Sequence, residues 1–192
     1  FINNAEFLNI DISDVETAII SHGHYDHTGG IRSFLSLNPD SDIYIKKSAL
    51  CQKYNDKKRF IGIPYNLELF EENIKYVDKK VKLTDNLFII GEIDSFFHRD
   101  KNPGNFFVKK EGSFYIDDFS DEIFLVVKKD DKISIISGCS HNGISNIVET
   151  ARRIFNLPVY MILGGFHLNN SGEDRINFVL EYFQQVSPQI IG

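Results

Sequence analysis

With 192 residues, 42% hydrophobic and 25% charged, the chain has the composition of one globular domain with a sizeable core, so a single domain over residues 1–192 is expected. A formal charge of −6 offers no electrostatic footprint for nucleic acid, so no nucleic-acid partner is expected, and no apolar run is long enough to cross a bilayer. Two cysteines, Cys51 and Cys139, make no disulfide framework and suit a reducing, cytoplasmic compartment.

The start, Phe1-Ile2-Asn3-Asn4-Ala5-Glu6, has no initiator Met and none of the marks of a signal peptide. Residues 1–9 read as the end of an amphipathic helix with Phe1, Ala5 and Leu8 on one face. Residues 15–20 form a short apolar strand, and the run Ser21-His22-Gly23-His24-Tyr25-Asp26-His27-Thr28-Gly29-Gly30 continues it into a tight loop. Three of the chain's six histidines fall within these ten residues. Side chains two apart on an extended segment point the same way, so His22 and His24 can close on one cation, while Asp26 and His27 are free to face a second. Imidazole with carboxylate suits zinc, with iron and manganese as alternatives, and a pair of metals about 3.5–4 Å apart is the usual hydrolytic arrangement.

A helix over 30–37 and a strand over 43–45 complete a β-α-β unit, and 48–54 reads as a short helix before an exposed loop over 55–66. Residues 67–73 suit another helix. From 74 onward the texture is strand after strand, at 74–77, 81–83, 87–93, 106–109, 123–128 and 133–137, the last two joined as a hairpin through 129–132. A second sheet is expected there. The last third alternates again, with helices over 144–155 and 173–186 and strands over 159–163 and 190–191.

Two further strand ends carry chemistry. Ser137-Gly138-Cys139-Ser140-His141 ends one apolar strand and Gly164-Gly165-Phe166-His167 ends another, which makes His141 and His167 candidate ligands at the same edge of the fold. The patternless loop over 94–105 carries Phe96, Phe97, His98, Arg99 and Lys101. Arg99 and Lys101 could meet an anionic group, with Tyr25, Phe96, Phe97 and Phe166 as apolar walls for a ring. The acidic run of Asp117, Asp118, Asp121 and Glu122 reads as a turn and solvated face.

The H-x-H-x-D-H pattern after a hydrophobic strand, leading into Thr28-Gly29-Gly30, resembles the signature of the metallo-β-lactamase superfamily. The resemblance implies an α/β (α+β) fold, a four-layer αββα sandwich, with two divalent metal ions. Carried onto this sequence, His22, His24 and His141 bind one metal, and Asp26, His27 and His167 bind the other. Many members place a metal-bridging Asp where this chain has Cys139, which leaves a thiolate ligand and an inert buried thiol as alternatives. Glu usually replaces His24 in members that reduce oxygen, so a zinc-type hydrolase is favoured. Gly138-Cys139-Ser140-His141-Asn142-Gly143-Ile144, with Gly164-Gly165-Phe166-His167-Leu168 after it, resembles the dihydropterin ribofuranosylaminobenzene phosphate synthase-like subgroup. That subgroup usually begins with further strands and a Phe-Asp-Thr-Gly turn and ends with a His-Cys-Thr-Gly segment, so this chain is expected to be incomplete at both ends. The implied activity is hydrolysis by a water activated between two metals, with Asp26 ligating and orienting it, on a phosphorylated or pterin-like small molecule. A synthase-type activity belongs to the subgroup, and a non-catalytic metal- or ligand-binding protein is the alternative. Substrate contacts are expected from Tyr25, Phe97, Arg99 and Lys101.

Overall fold

The computed structural model describes residues 1–101, 105–169 and 171–192. In chain order the elements begin with α1 (Ile2–Phe7), β1 (Thr17–Ile19), α2 (Tyr25–Thr28), α3 (Ile31–Leu37), β2 (Asp42–Ile45), β3 (Gln52–Tyr54), β4 (Ile74–Tyr76) and β5 (Lys80–Lys82). They continue with β6 (Leu87–Ile90), β7 (Phe107–Lys110), β8 (Ser113–Ile116), β9 (Phe124–Lys129), β10 (Lys132–Ile136), α4 (Ile144–Phe155), β11 (Val159–Leu163), α5 (Glu173–Val186) and β12 (Ile190–Ile191). Among the described residues three sheets result, in the orders β1-β2-β4, β12-β11-β10-β9-β6-β5 and β3-β7-β8. Among the described residues no helix is long and apolar enough to cross a membrane.

Strand alternation sets the layers. Ile43 and Ile45 of β2 turn one face toward Ile31, Phe34 and Leu35 of α3, while Tyr44 and Ile19 turn the other toward Ile89, Ile123 and Leu125. In the six-stranded sheet Ile89 and Leu125 face that middle layer, and Phe88, Ile90, Phe124, Val126, Ile133 and Ile135 face the opposite way. There they meet Ile144, Ile147, Val148 and Ala151, the apolar stripe of α4, together with Val179, Tyr182 and Phe183 of α5. The order is helix, sheet, sheet, helix, and each Ile or Leu buried in it contributes about 1.5–3 kcal/mol.

Three expectations are corrected. Residues 48–54 are helical only at their start: a 3-10 helix over Lys47–Leu50 gives way to β3, because Lys53 turns its side chain into the interior and Gln52, Lys53 and Tyr54 pair with β7. The strands from residue 74 onward do not share one sheet. β4 pairs parallel with β2 and completes the first sheet, while β7 pairs with β3. Strand β8 lies outside the expected set altogether, since all four of its residues are exposed and so show no alternation. Its signal was the turn Glu111-Gly112, whose two positive φ values suit a tight hairpin. Residues 102–104 of the expected long loop lie outside the described residues.

The strand ends that matter share one edge. β1 leads into His22, β10 into Cys139 and His141, and β11 into His167. Parallel pairing of β10 with β11, in register from Ser134 with Met161 to Ile136 with Leu163, brings the last two ends side by side.

Candidate metal centre

His22, His24 and His141 are all buried and offer ring nitrogens within 4.8 Å of one another. A second group, His22, His27 and Cys139, meets the same criterion, so His22 stands between the two. Ring centroids are 4.6 Å apart for His22 and His24, 4.8 Å for His22 and His141, and 4.2 Å for His22 and His27. Asp26 and His167 line the same cleft as His24, Cys139 and His141, a space of about 230 Å³ walled by Tyr25, Ile61 and Phe106. The Asp26 carboxylate is 3.8 Å from His27 Nε2, and the His167 ring is centred 4.4 Å from that of His141. Neither belongs to a close group among the described residues, where Cys139 instead sits beside His27 with Sγ 3.1 Å from Nε2.

The residues fit a divalent cation. The Nε2 atoms of His22 and His24 are buried with no hydrogen-bond partner, a costly state for a polar atom unless something accepts its lone pair. Burial and the neighbouring His24 and His141 hold His22 well below the usual imidazole range. Burial with the nearby Lys53 ammonium lowers His24 to about 4, and burial with His24 and His167 lowers His141 to about 2. Neutral imidazoles are the form that ligates metal. Burial and the Asp26 and Glu122 carboxylates push the Cys139 thiol up to about 11, so without a cation it stays protonated.

The supporting contacts explain why these rings converge. Ser21, at the end of β1, places its hydroxyl 3.1 Å from both His22 Nδ1 and His27 Nδ1, which leaves the Nε2 atoms facing inward. Asp121 Oδ2 accepts the Gly23 N–H at 2.7 Å, and Ile123 N–H donates to the Ser21 carbonyl at 2.8 Å. Glu122 accepts the N–H groups of His141 and Asn142 at 2.7 and 2.8 Å, and burial pushes its carboxyl up to about 7. Phe119 stacks on His141 with ring planes 1° apart at 4.1 Å. His167 holds a left-handed backbone with φ 47°, and its carbonyl accepts a hydrogen bond from Arg175 Nη1 at 3.0 Å. Arg175 is tied in turn to the buried Asp100 at 3.1 Å.

The acidic run is therefore not a solvated face. Asp117, Asp121 and Glu122 are buried between the histidine loops, and only Asp118 is exposed. Sequence reasoning missed this because an acidic run looks the same whether its carboxylates meet water or backbone N–H groups. The buried Lys53 and the Ser next to the first histidine were missed in the same way.

Of the expected substrate contacts, Tyr25 lines the histidine cleft, joined by Phe106. Phe97 does not. Its ring packs on Phe178 and Tyr182, with centroids 5.4 and 5.1 Å away, because Asn146 of α4 pairs with its backbone and draws the loop onto the helices. Arg99 and Lys101 line a separate cavity of about 860 Å³ with Ser171, Asp174, Arg175 and Glu181, and Arg99 lies 5.8 Å from the Phe178 ring. Phe96 and Phe166 face other partners, Arg153 and Phe183.

The profile of the Metallo-beta-lactamase superfamily matches residues 3–108. A 7,8-dihydropterin-6-methyl-4-(beta-D-ribofuranosyl)-aminobenzene-5'-phosphate synthase of Methanocaldococcus jannaschii is 28% identical over 185 residues, which cover 90% of this chain and 63% of that protein. An uncharacterized protein of the same organism is 27% identical over 170 residues, 86% of this chain and 63% of its own length. The chain thus spans less than two thirds of either curated relative. Among solved structures, Tm1679, described as a metal-dependent hydrolase of the beta-lactamase superfamily, superimposes with a TM-score of 0.86 at 32% identity, covering 99% of this chain and 71% of that one. By sequence profile, by identity and by fold, this chain belongs to the metallo-β-lactamase superfamily.

Proposed function

We propose that the chain carries the centre of a metal-dependent hydrolase that holds two divalent cations, zinc before iron or manganese. The observation that carries this reading is the convergence of His22, His24 and His141, with the buried Nε2 atoms of His22 and His24 lacking a hydrogen-bond partner. His22, His24 and His141 would hold one cation, and His27, Asp26 and His167, with Cys139 beside them, the other. Bound there, the cations would supply a water of lowered pKa and neutralise charge developing on a carbonyl or phosphoryl oxygen. Asp26, with its side chain 60% exposed at the mouth of the cleft, orients the attacking water and can accept its proton. Tyr25 and Phe106 offer flat walls to a ring, which with the synthase activity of the 28% identical relative supports a phosphorylated aromatic or pterin-like small molecule as substrate. A synthase-type reaction at the same centre is the second reading, favoured by that same relative. Two free thiols, Cys51 and Cys139, support a reducing compartment, for which the cytoplasm is proposed. The test is hydrolysis of a generic phosphodiester by the purified, metal-reconstituted protein. Asp26→Ala should abolish turnover, and persistence of turnover in that variant would remove Asp26 from the reaction.

A further inference from the structure

Lys53 is 1% exposed, on a strand whose neighbours Gln52 and Tyr54 face outward, and its position needs an explanation. Its ammonium lies 2.6 Å from Asp117 Oδ2 and 2.8 Å from Asp121 Oδ1, both carboxylates being equally buried. A buried ion cluster gains little stability over apolar residues of the same volume, so burial of three charges is weak evidence for a stabilising role. The remaining oxygens of the two carboxylates point to a different one. Asp121 Oδ2 accepts the N–H of Gly23, the residue between His22 and His24. Asp117 Oδ1 accepts the N–H of Phe119 at 2.9 Å, which holds that residue at φ 53° and its ring flat against His141. Lys53 itself sits 5.4 Å from the same Phe119 ring.

We propose that Lys53 is the positioning residue of the three-histidine centre. Through Asp121 it fixes the backbone that carries His22 and His24, and through Asp117 and Phe119 it fixes the plane of His141. One side chain, on a strand remote in sequence from all three histidines, thus reaches every ring without touching a metal. The inference rests on the proposed metal centre and adds the device that preorganises it.

The test is titration of the metal-free protein with cobalt(II), reading both the affinity of the first equivalent and its visible d–d absorption. Lys53→Met and Asp121→Ala should each weaken that equivalent by about 10–100-fold and alter the absorption band, whereas the exposed Asp118→Asn should do neither. A role limited to fold stability would lower the melting temperature and leave both readings unchanged, and that result in Lys53→Met would overturn the proposal. Should Lys53→Met not fold by circular dichroism, Asp121→Ala decides in the same way. If neither variant folds, the cluster is a determinant of the fold and the proposal is likewise overturned. Failure of the unmodified protein to bind cobalt would instead overturn the metal centre itself, before any variant is compared.

Discussion

Gly138 offers a sharp perturbation of the centre because a single methyl group there collides with the residue that aims two of its rings. A Cβ at position 138 would lie 2.3 Å from Ser21 Oγ and 2.6 Å from Ser21 Cβ, well inside van der Waals contact. Ser21 cannot yield without releasing His22 and His27, since its hydroxyl bonds to Nδ1 of both. Overpacking of this kind costs about 1–3 kcal/mol, and each hydrogen bond lost adds about 0.5–1.5 kcal/mol. Gly138→Ala should therefore lower the unfolding free energy of the metal-free protein by about 2–6 kcal/mol in urea titration. Its metal affinity should fall by about 10–100-fold in a competition assay. Adding Ser21→Gly removes both colliding atoms, so the double variant should recover most of the stability lost to overlap but none of the affinity. A Gly138→Ala protein within about 0.5 kcal/mol of the unmodified one, or one whose affinity is restored by Ser21→Gly, would refute the role given to Ser21.

His22 belongs to both close groups of donors, so His22→Ala should reduce bound metal more than His167→Ala does, as read by elemental analysis; the reverse order would place the main site elsewhere. The metal-free protein should lose stability in acid. His22, His24 and His141 have folded-state pKa values depressed from 6.5, so their contribution is present above pH 6.5 and is lost as pH falls below it. Glu122, raised from 4.5 to about 7, acts in the opposite sense, as do the raised Asp100 and Asp117, losing their contribution as pH rises, but His27 and His167 are lowered too, so the histidines outnumber the acids. A urea midpoint at pH 5 equal to or above that at pH 7.5 would contradict this balance. Arg99 and Lys101 line a cavity apart from the histidine cleft, so replacing both with Ala should leave KM for a phosphorylated substrate unchanged. A large rise in KM would show that their loop folds over the cleft.

The parts of the fold legible in the sequence were those where pattern and burial agree. Ile144, Ile147, Val148 and Ala151 repeat at helical spacing and all face the core, and β9 and β10 meet through Asp130-Asp131, two residues at positive φ that suit a tight turn. Histidines at strand ends were legible for the same reason, because apolar strands of one sheet carry the loops at their ends to a common edge. Pairing was not, since β3 and β4 are three-residue strands whose sheets are chosen by partners far along the chain. Nor were Lys53, Asp117, Asp121 and Glu122. Charged residues are rarely buried, and only their mutual pairing and the backbone N–H groups of the histidine loops make it tolerable here. Phe97 was misplaced because a loop aromatic beside cations looks like a substrate wall until the α4 side chain that binds its backbone is seen.

Anomalous diffraction from crystals of the zinc-reconstituted protein tests the central claim most directly. Two zinc peaks are predicted, one among the Nε2 atoms of His22, His24 and His141 and one beside His27, Asp26 and Cys139. No peak within bonding distance of His22 and His141, or zinc held only at surface carboxylates, would contradict it.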